Sequence, residues 1–86
     1  MPTKRNQALI YRKVPAFLRE MRQKAKLTQR QLADRIGQSQ WWVARSETGS
    51  RRLDVAEFVE FCLGCKTDPA QALTELARRR RRGSRA

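Results

Sequence analysis

With 86 residues, the chain is long enough for one small domain and too short for a multi-domain enzyme. Twenty Lys and Arg side chains against eight Asp and Glu give a net charge of +12, which predicts attraction to a polyanion, with nucleic acid as the leading candidate. Because 33% of the residues are charged and only 7% are aromatic, we expect a small core built by helices rather than by large sheets.

The positive charge is unevenly distributed along the chain. Residues 1–52 carry 13 basic and three acidic side chains, residues 53–77 carry one and five, and residues 78–86 carry six and none. No apolar stretch approaches the ~20 residues of a membrane span, and the N-terminal residues lead into no signal-like apolar segment. We therefore expect a soluble, cytoplasmic, nucleoid-associated protein that contacts no membrane.

The first helix is predicted over about residues 15–26. Pro15 suits a first helical turn, and apolar side chains follow it at helical spacing. Upstream, residues 9–14 fit either an extension kinked at Pro15 or a separate short segment, and the sequence leaves this open. Residues 1–13 are accordingly assigned as a basic arm or helix extension, with Lys4, Arg5, Arg12 and Lys13 as its cations.

Two short helices follow. Thr28 and Gln31 have the spacing of a capping box, which starts helix 2 over about residues 28–36, and Gly37 supplies the left-handed residue that ends it. Ser39 is a good N-cap for helix 3, predicted over about residues 40–47, and the turn at residues 48–50 closes it.

Two further helices are indicated by their N-terminal residues. Asp54 and Glu57 repeat the capping-box spacing and start helix 4, over about residues 54–64. Asp68 as N-cap and Pro69 at the first helical position start helix 5. Helical periodicity ends near residue 77, so residues 78–86 are predicted to form an Arg-rich tail outside the domain.

Cys62 and Cys65 are the only cysteines, and the sequence contains no histidine. A zinc site needs about four ligands, and a redox CxxC motif is expected at the start of a helix, whereas this pair lies late in an amphipathic pattern. We interpret both as small apolar side chains. No acid-base or nucleophilic constellation can be assembled, so we expect no catalytic residue, metal or cofactor.

The turn between helices 2 and 3 has the spacing of a helix-turn-helix. Counting Gln29 as the first position, Ala33 is the fifth, where crossing helices need a small side chain, and Gly37 is the ninth, where the turn needs an unusual backbone. The positions expected to pack against helix 1 are filled by Leu32, Ile36 and Val43.

Around this motif the sequence resembles the lambda-repressor-like, XRE-type (Cro/repressor) DNA-binding family. The matching segments are Leu18–Arg22, Leu27–Ala33, Ile36–Gly37, Ser39–Arg45, Glu47–Gly49, Arg51–Val55 and Asp68–Pro69. The resemblance implies an all-α, compact five-helix domain over residues 14–77, in which helix 3 enters the major groove and dimers read two half-sites. Three residues depart from the family pattern: Ser46 at a usually apolar position, and Lys26 and Lys66 where a helix-ending Gly is common. We expect them to lower stability without changing the fold.

Helix geometry indicates which side chains of helix 3 point outward. At ~100° per residue from inward-facing Val43, Trp41 and Arg45 lie nearly opposite, with Trp42 and Ala44 on the flanks. Arg can pair with both acceptors of guanine, Gln can pair with adenine, and an aromatic edge can meet a thymine methyl. The predicted base-reading residues are Gln40, Trp41, Ala44 and Arg45.

Contacts to the DNA backbone are predicted around this face. By resemblance, Gln29 contacts phosphate and braces Gln40, while Trp42 covers either the core edge or the sugar-phosphate backbone. The turn after helix 3 can approach a phosphate through its amides. The predicted set is Thr28, Gln29, Ser39, Trp42, Thr48, Arg51 and Arg52. The tail either contacts nucleic acid or is a solvated charge block, and its residues are Arg78, Arg79, Arg80, Arg81 and Arg82.

The sequence thus predicts a transcriptional regulator that binds double-stranded DNA specifically, acting as a homodimeric repressor. The alternative is an antitoxin or anti-regulator that holds a partner protein, such as a toxin, and regulates itself through DNA binding. Its motivation is an acidic stripe formed by Asp54, Glu57 and Glu60. A third reading, general RNA or nucleoid binding through the Arg tail, predicts little sequence preference.

Overall fold

The protein is all-α in the part of the chain that the computed structural model describes, the backbone of residues 10–85 and the side chains of residues 10–79. Its five helices are α1 (Val14–Lys24), α2 (Gln29–Ile36), α3 (Gln40–Thr48), α4 (Val55–Gly64) and α5 (Pro69–Arg85). The all-α, five-helix prediction is confirmed. Leu9, Lys4 and Arg5, assigned to the basic arm, lie outside the described residues.

Helix starts follow the predicted capping residues. The Thr28 hydroxyl accepts from the Gln31 amide at 3.0 Å, and the Gln31 side chain accepts from the Thr28 amide at 2.9 Å. The Asp54 carboxylate accepts from the Glu57 amide at 2.7 Å, with the reciprocal bond at 2.9 Å. The Ser39 hydroxyl accepts from the amide of Trp42 at 3.0 Å. Each bond satisfies an amide that lacks a partner within its own helix.

The core lies where α1, α2, α3 and α4 meet. Its fully buried apolar side chains come from all four helices and are Leu18, Leu32, Val43, Phe61 and Cys62. Ser46, at the usually apolar position, is also fully buried, and its hydroxyl donates to the Trp42 carbonyl at 2.9 Å. The hydroxyl is therefore satisfied within its own helix, which removes most of the cost of burying it.

Gly64 lies where α4 packs against α2. A Cβ atom there would lie 2.6 Å from Ile36 Cγ2 and 2.8 Å from Leu32 Cδ1, nearer than such atoms ever approach. No larger residue fits without moving the core. The sequence analysis gave this glycine no role, because a close approach between two helices leaves no local signature.

Four helix ends use left-handed backbone, at Lys26, Gly37, Gly49 and Lys66. Gly37 has a φ of 71° and takes this conformation at little cost. Lys26 and Lys66 have φ values of 61° and 57°, in the same left-handed region. Their Cβ atoms make this conformation costly by about 1 kcal/mol each, which fits the expectation that these lysines lower stability.

The prediction that helical periodicity ends near residue 77 is wrong, because α5 continues through the arginine run to Arg85. Arginine is a good helix former, so the helix needs no apolar stripe to continue. Glu75 also pairs with Arg78 and Arg79, one turn further along, at 3.6 and 3.4 Å. Arg79 reaches back to Glu20 of α1 at 2.7 Å and holds the helix against the domain.

The segment before α1 is tied to the loop after α3. Ile10 and Tyr11 are helical, and residues 12 and 13 form a turn before α1 begins. The Tyr11 hydroxyl accepts from the Leu53 amide at 2.7 Å, and the Arg52 guanidinium lies over the Tyr11 ring at 4.5 Å. The described part of this extension is therefore a short separate segment, the second of the two arrangements that the sequence left open.

Cys62 and Cys65 are buried, free thiols in the core, as interpreted from the sequence. Burial raises the pKa of Cys62 to about 12 and that of Cys65 to about 11, so both stay protonated at neutral pH. Within the described residues, no group of side chains has the composition of a metal site. No helix of this part of the chain is long and apolar enough to span a membrane.

Candidate nucleic-acid interface

The outward face of α3 carries the side chains that its geometry predicts. Val43 is fully buried, whereas Trp41 is 68% exposed on the opposite side. Gln40 and Arg45 are also exposed, and Trp42 and Ala44 are half-buried on the flanks. The helix therefore presents one indole and one guanidinium to solvent, two groups suited to the edges of bases in a groove.

Arg45 and Trp41 form a stack on this face. The Arg45 guanidinium carbon lies 4.9 Å from the centroid of the Trp41 ring, one helical turn away along α3. Among the described residues, no carboxylate or carbonyl accepts a hydrogen bond from the Arg45 side chain. The N–H groups of this exposed guanidinium therefore have no acceptor among the described residues and are available to a ligand.

A second Arg–Trp stack lies beside the first, but most donors of its guanidinium are bonded within the protein; we call this stack closed. Arg51 lies over the Trp42 ring at 4.8 Å, and its guanidinium donates to both Glu57 oxygens, at 3.1 and 2.8 Å. A further bond joins it to the Arg52 carbonyl at 3.1 Å. The hydrogen bonds from Arg51 and the Asp54 amide hold the pKa of Glu57 below its ordinary value. Arg51, predicted to contact phosphate, thus has much of its hydrogen-bonding capacity engaged within the protein.

The turn after α3 is organised by the carbonyl of Arg45. This oxygen accepts from the amides of Gly49 and Arg51 at 3.1 and 3.2 Å. It also accepts from the hydroxyls of Thr48 and Ser50, at 3.2 and 3.4 Å. One of the amides expected to approach a phosphate, that of Gly49, therefore bonds inside the protein. The Thr48 hydroxyl, predicted to contact the DNA backbone, lies in the same network.

A buried ion pair anchors α3 from behind, and the sequence analysis missed it. Arg22 donates to the two oxygens of Glu47 at 2.6 and 2.9 Å, and to the Leu27 carbonyl at 2.8 Å. Gln29 adds a bond to Glu47 at 3.2 Å. The hydrogen bond to Glu47 raises the pKa of Arg22. The available signal was that Glu47 lies four residues after Val43, on the inward face of α3.

Five of the side chains predicted from the sequence line one shallow groove, together with Ser50. Its volume is about 380 Å³, and its lining residues are Ser39, Trp41, Trp42, Arg45, Ser50 and Arg51. Thr28 and Arg52 are exposed, and Gln29 is half-buried. Arg79, by contrast, faces α1, while the side chains of Arg80, Arg81 and Arg82 lie outside the described residues.

Comparison with known proteins decides the family. A family model described as a helix-turn-helix domain matches residues 16–74. An XRE-family like protein from Pseudomonas syringae pv. tomato str. DC3000 is 41% identical in its solved structure, with a TM-score of 0.81, over 88% of this chain and 93% of that one. The chain belongs to the XRE-type helix-turn-helix family.

Membership identifies the XRE-type domain as a DNA-binding module of the regulator type. The fold and the family predicted from the sequence are therefore confirmed. A search of curated proteins finds no match. In the helix-turn-helix motif the second helix is the recognition helix, which corresponds to α3 of this XRE-type domain.

Proposed function

We propose that this XRE-type protein is a transcriptional regulator that reads a specific double-stranded DNA site with α3 in the major groove. The observation that carries the proposal is the open Trp41–Arg45 stack on the outward face of α3. A guanidinium with free donors pairs with both major-groove acceptors of guanine. Gln40 and Ala44 lie on the same helix and complete the base-reading set.

Side-chain bonds to the buried Glu47 connect α3 to both α1 and α2 and hold it in place for base contacts. Arg22 and Glu47 connect α1 to α3 through side chains that are only 11% and 3% exposed. Gln29 connects the start of α2 to the same carboxylate. A reader held in this way loses little conformational freedom when it binds, so more of the contact energy appears as affinity.

Phosphate contacts flank the reading face in this proposal. Arg52 is exposed and stacks on Tyr11, and the hydroxyls of Thr28 and Ser39 lie at the starts of α2 and α3. Helix starts favour anions because their amides and dipole point outward. The net charge of +12 supplies the long-range attraction, and affinity should fall steeply as salt rises.

We assign the active species as a homodimer and its effect as repression. One recognition helix covers a single half-site, and a second copy doubles the contacted sequence. Val55, Leu63 and Leu73 are more than half exposed, which leaves apolar surface for a second copy. A dimer seated on a promoter would exclude the polymerase. Sedimentation with and without the selected DNA tests the stoichiometry, and a reporter under that site tests the sign of regulation.

Selection from random double-stranded DNA at about 150 mM salt tests the proposal directly. The wild-type protein should enrich a two-fold-symmetric site. The double variant Trp41→Ala/Arg45→Ala should keep its fold, since both side chains are exposed, and lose the enrichment. Binding without enrichment by the wild-type protein would overturn specific reading and favour general nucleic-acid binding.

The antitoxin alternative has less structural support. Two members of its acidic stripe, Asp54 and Glu57, are engaged in the capping box, and Glu57 also pairs with Arg51. Glu60 remains exposed. A stable second polypeptide that co-purifies with the chain, and that is lost on Glu60→Lys, would favour this alternative.

A further inference from the structure

We infer that Trp41 is a positioning residue for Arg45, and that the stack reads a guanine directly next to a thymine as one unit. The inference rests on the proposed function and deepens it by naming the chemistry of the recognised step. Arg45 would bond to the guanine O6 and N7 atoms. The Trp41 ring would pack on the 5-methyl group of the neighbouring thymine.

The first argument is the state of the Arg45 side chain before DNA binds. A free arginine on a helix surface loses considerable rotamer freedom when it is fixed on a base. Here the guanidinium carbon already lies over the Trp41 ring at 4.9 Å, and no described residue accepts a hydrogen bond from this exposed side chain. Part of the ordering is thus complete in the free protein, and removing the ring should weaken the arginine contact itself.

The second argument is spacing. Successive bases of a DNA strand are about 3.4 Å apart along the axis, and bases two steps apart are separated by about 6.8 Å. The guanidinium and the ring centroid are separated by 4.9 Å, which is closer to one step than to two. A pair of this size reaches neighbouring base pairs. Thymine is the base that offers an apolar group in the major groove.

The third argument is that the adjacent stack lacks this capacity. Arg51 is stacked on Trp42 in the same way, but Glu57 takes two of its hydrogen bonds. A carboxylate competes directly with a base for the same donors. Of the two Arg–Trp stacks at α3, only the Arg45 stack therefore combines a pre-ordered guanidinium with open donors, and the step-reading role belongs to it.

The experiment uses the site selected with the full-length wild-type protein and three altered duplexes. In one, 7-deazaguanine, which lacks the N7 acceptor, replaces the guanine whose exchange for another base weakens wild-type binding most relative to that of Arg45→Ala. In the others, each thymine flanking that guanine is replaced in turn by deoxyuridine, which lacks only the methyl group. Affinities are measured for the wild type and for Trp41→Ala, Trp41→Phe and Arg45→Ala, with circular dichroism to check the fold of each variant.

We expect 7-deazaguanine to weaken wild-type binding by at least about 5-fold, at the lower end of a bidentate base contact, and to leave Arg45→Ala unaffected. Deoxyuridine at one flanking position should cost the wild type about 2- to 4-fold, as expected for one methyl contact, and cost Trp41→Ala nothing. The 7-deazaguanine penalty should shrink in Trp41→Ala and return in Trp41→Phe, which keeps an aromatic face. A ring that merely stabilised the fold would leave this penalty unchanged.

The outcomes separate the inference from the function on which it rests. If the wild type selects no site, specific reading fails and the inference fails with it. If a site is selected and depends on Arg45, the proposed function stands. The inference is then overturned by either of two results: the selected guanine has no flanking thymine whose methyl group matters, or its 7-deazaguanine penalty is the same with and without Trp41.

Discussion

Two Arg–Trp stacks lie side by side at the recognition helix and differ in the hydrogen bonds of their guanidinium groups. Arg45 stacks on Trp41 at 4.9 Å, and Arg51 stacks on Trp42 at 4.8 Å, so the aromatic contacts are nearly equal. Arg51 also meets a carboxylate, that of Glu57, at 2.8 Å. The first guanidinium keeps its donors for DNA, whereas the second joins the turn after α3 to the start of α4.

A third arginine, Arg22, also pairs with a carboxylate, but in a more buried position. Its partner Glu47 is almost completely buried, while the Arg51–Glu57 pair is about 30% exposed. The three arginines, Arg22, Arg51 and Arg45, thus range from largely buried to exposed. The difference teaches that the same side chain supports the fold or reads DNA according to whether a carboxylate lies within reach, and that the consequences of substitution should follow this order.

The largest effect on stability is expected for the Arg22–Glu47 pair, which is the least exposed of the pairs compared. Glu47→Ala leaves the Arg22 charge buried without its partner and should lower the free energy of unfolding by about 3 to 5 kcal/mol. Urea denaturation followed by circular dichroism measures it. Glu20→Ala is the matched control, because its carboxylate pairs with Arg79 but is 46% exposed, and its effect should stay below about 1 kcal/mol. Equal effects of the two variants would contradict the ranking.

Arg45 is exposed and has no carboxylate partner among the described residues. Arg45→Ala should therefore change DNA selectivity and leave the stability of the fold unaltered. We expect a loss of about 1 to 3 kcal/mol on the selected site and a smaller loss on random DNA. Fluorescence anisotropy with both duplexes measures the difference. Arg19→Ala, which removes one exposed charge from α1, is the control for net charge. A loss of the same size on both duplexes would show that Arg45 contacts only the backbone.

The closed stack can be opened by a single substitution. Glu57→Gln keeps a side chain that can complete the capping box with Asp54, but it removes the charge that holds Arg51. The freed guanidinium should bind phosphate, raising affinity for selected and random DNA alike. The dependence of log K on log[salt] should steepen by about one. An unchanged salt dependence would mean that Trp42 alone keeps Arg51 away from DNA.

The smallest expected effect is on the pH dependence of stability. Because Arg51 and the Asp54 amide lower the pKa of Glu57 in the folded state below its ordinary value of 4.5, the stabilisation is complete well above pH 4.5. It is lost as the pH falls through the lower, folded-state value. The stability difference between wild type and Glu57→Gln should therefore be constant near neutrality and diminish in acid. Thermal unfolding from pH 3 to 7 checks this, and a difference that grows in acid would contradict it.

Much of the interface was predictable because its signals are local. The capping pairs of Thr28 and Asp54 act within four residues, and the inward position of Val43 determines where Trp41 and Arg45 point. The course of α5 was not predicted, because its continuation needs no apolar pattern. Ion pairs within the helix and the contact of Arg79 with Glu20 accompany it instead.

The sequence by itself determined the starts of the five helices and the outward face of α3, since each depends on residues less than two turns apart. It also determined the helix-turn-helix spacing, because that spacing lies within the short segment of residues 29–43. The tertiary structure alone decided which arginines are available. Arg22 meets Glu47 across 25 positions of the chain, and Arg51 meets Glu57 only because the turn after α3 brings them together. From composition alone, every arginine is a candidate for contact with DNA. An arginine whose guanidinium lies within 3 Å of a carboxylate is already engaged and is not available for that contact.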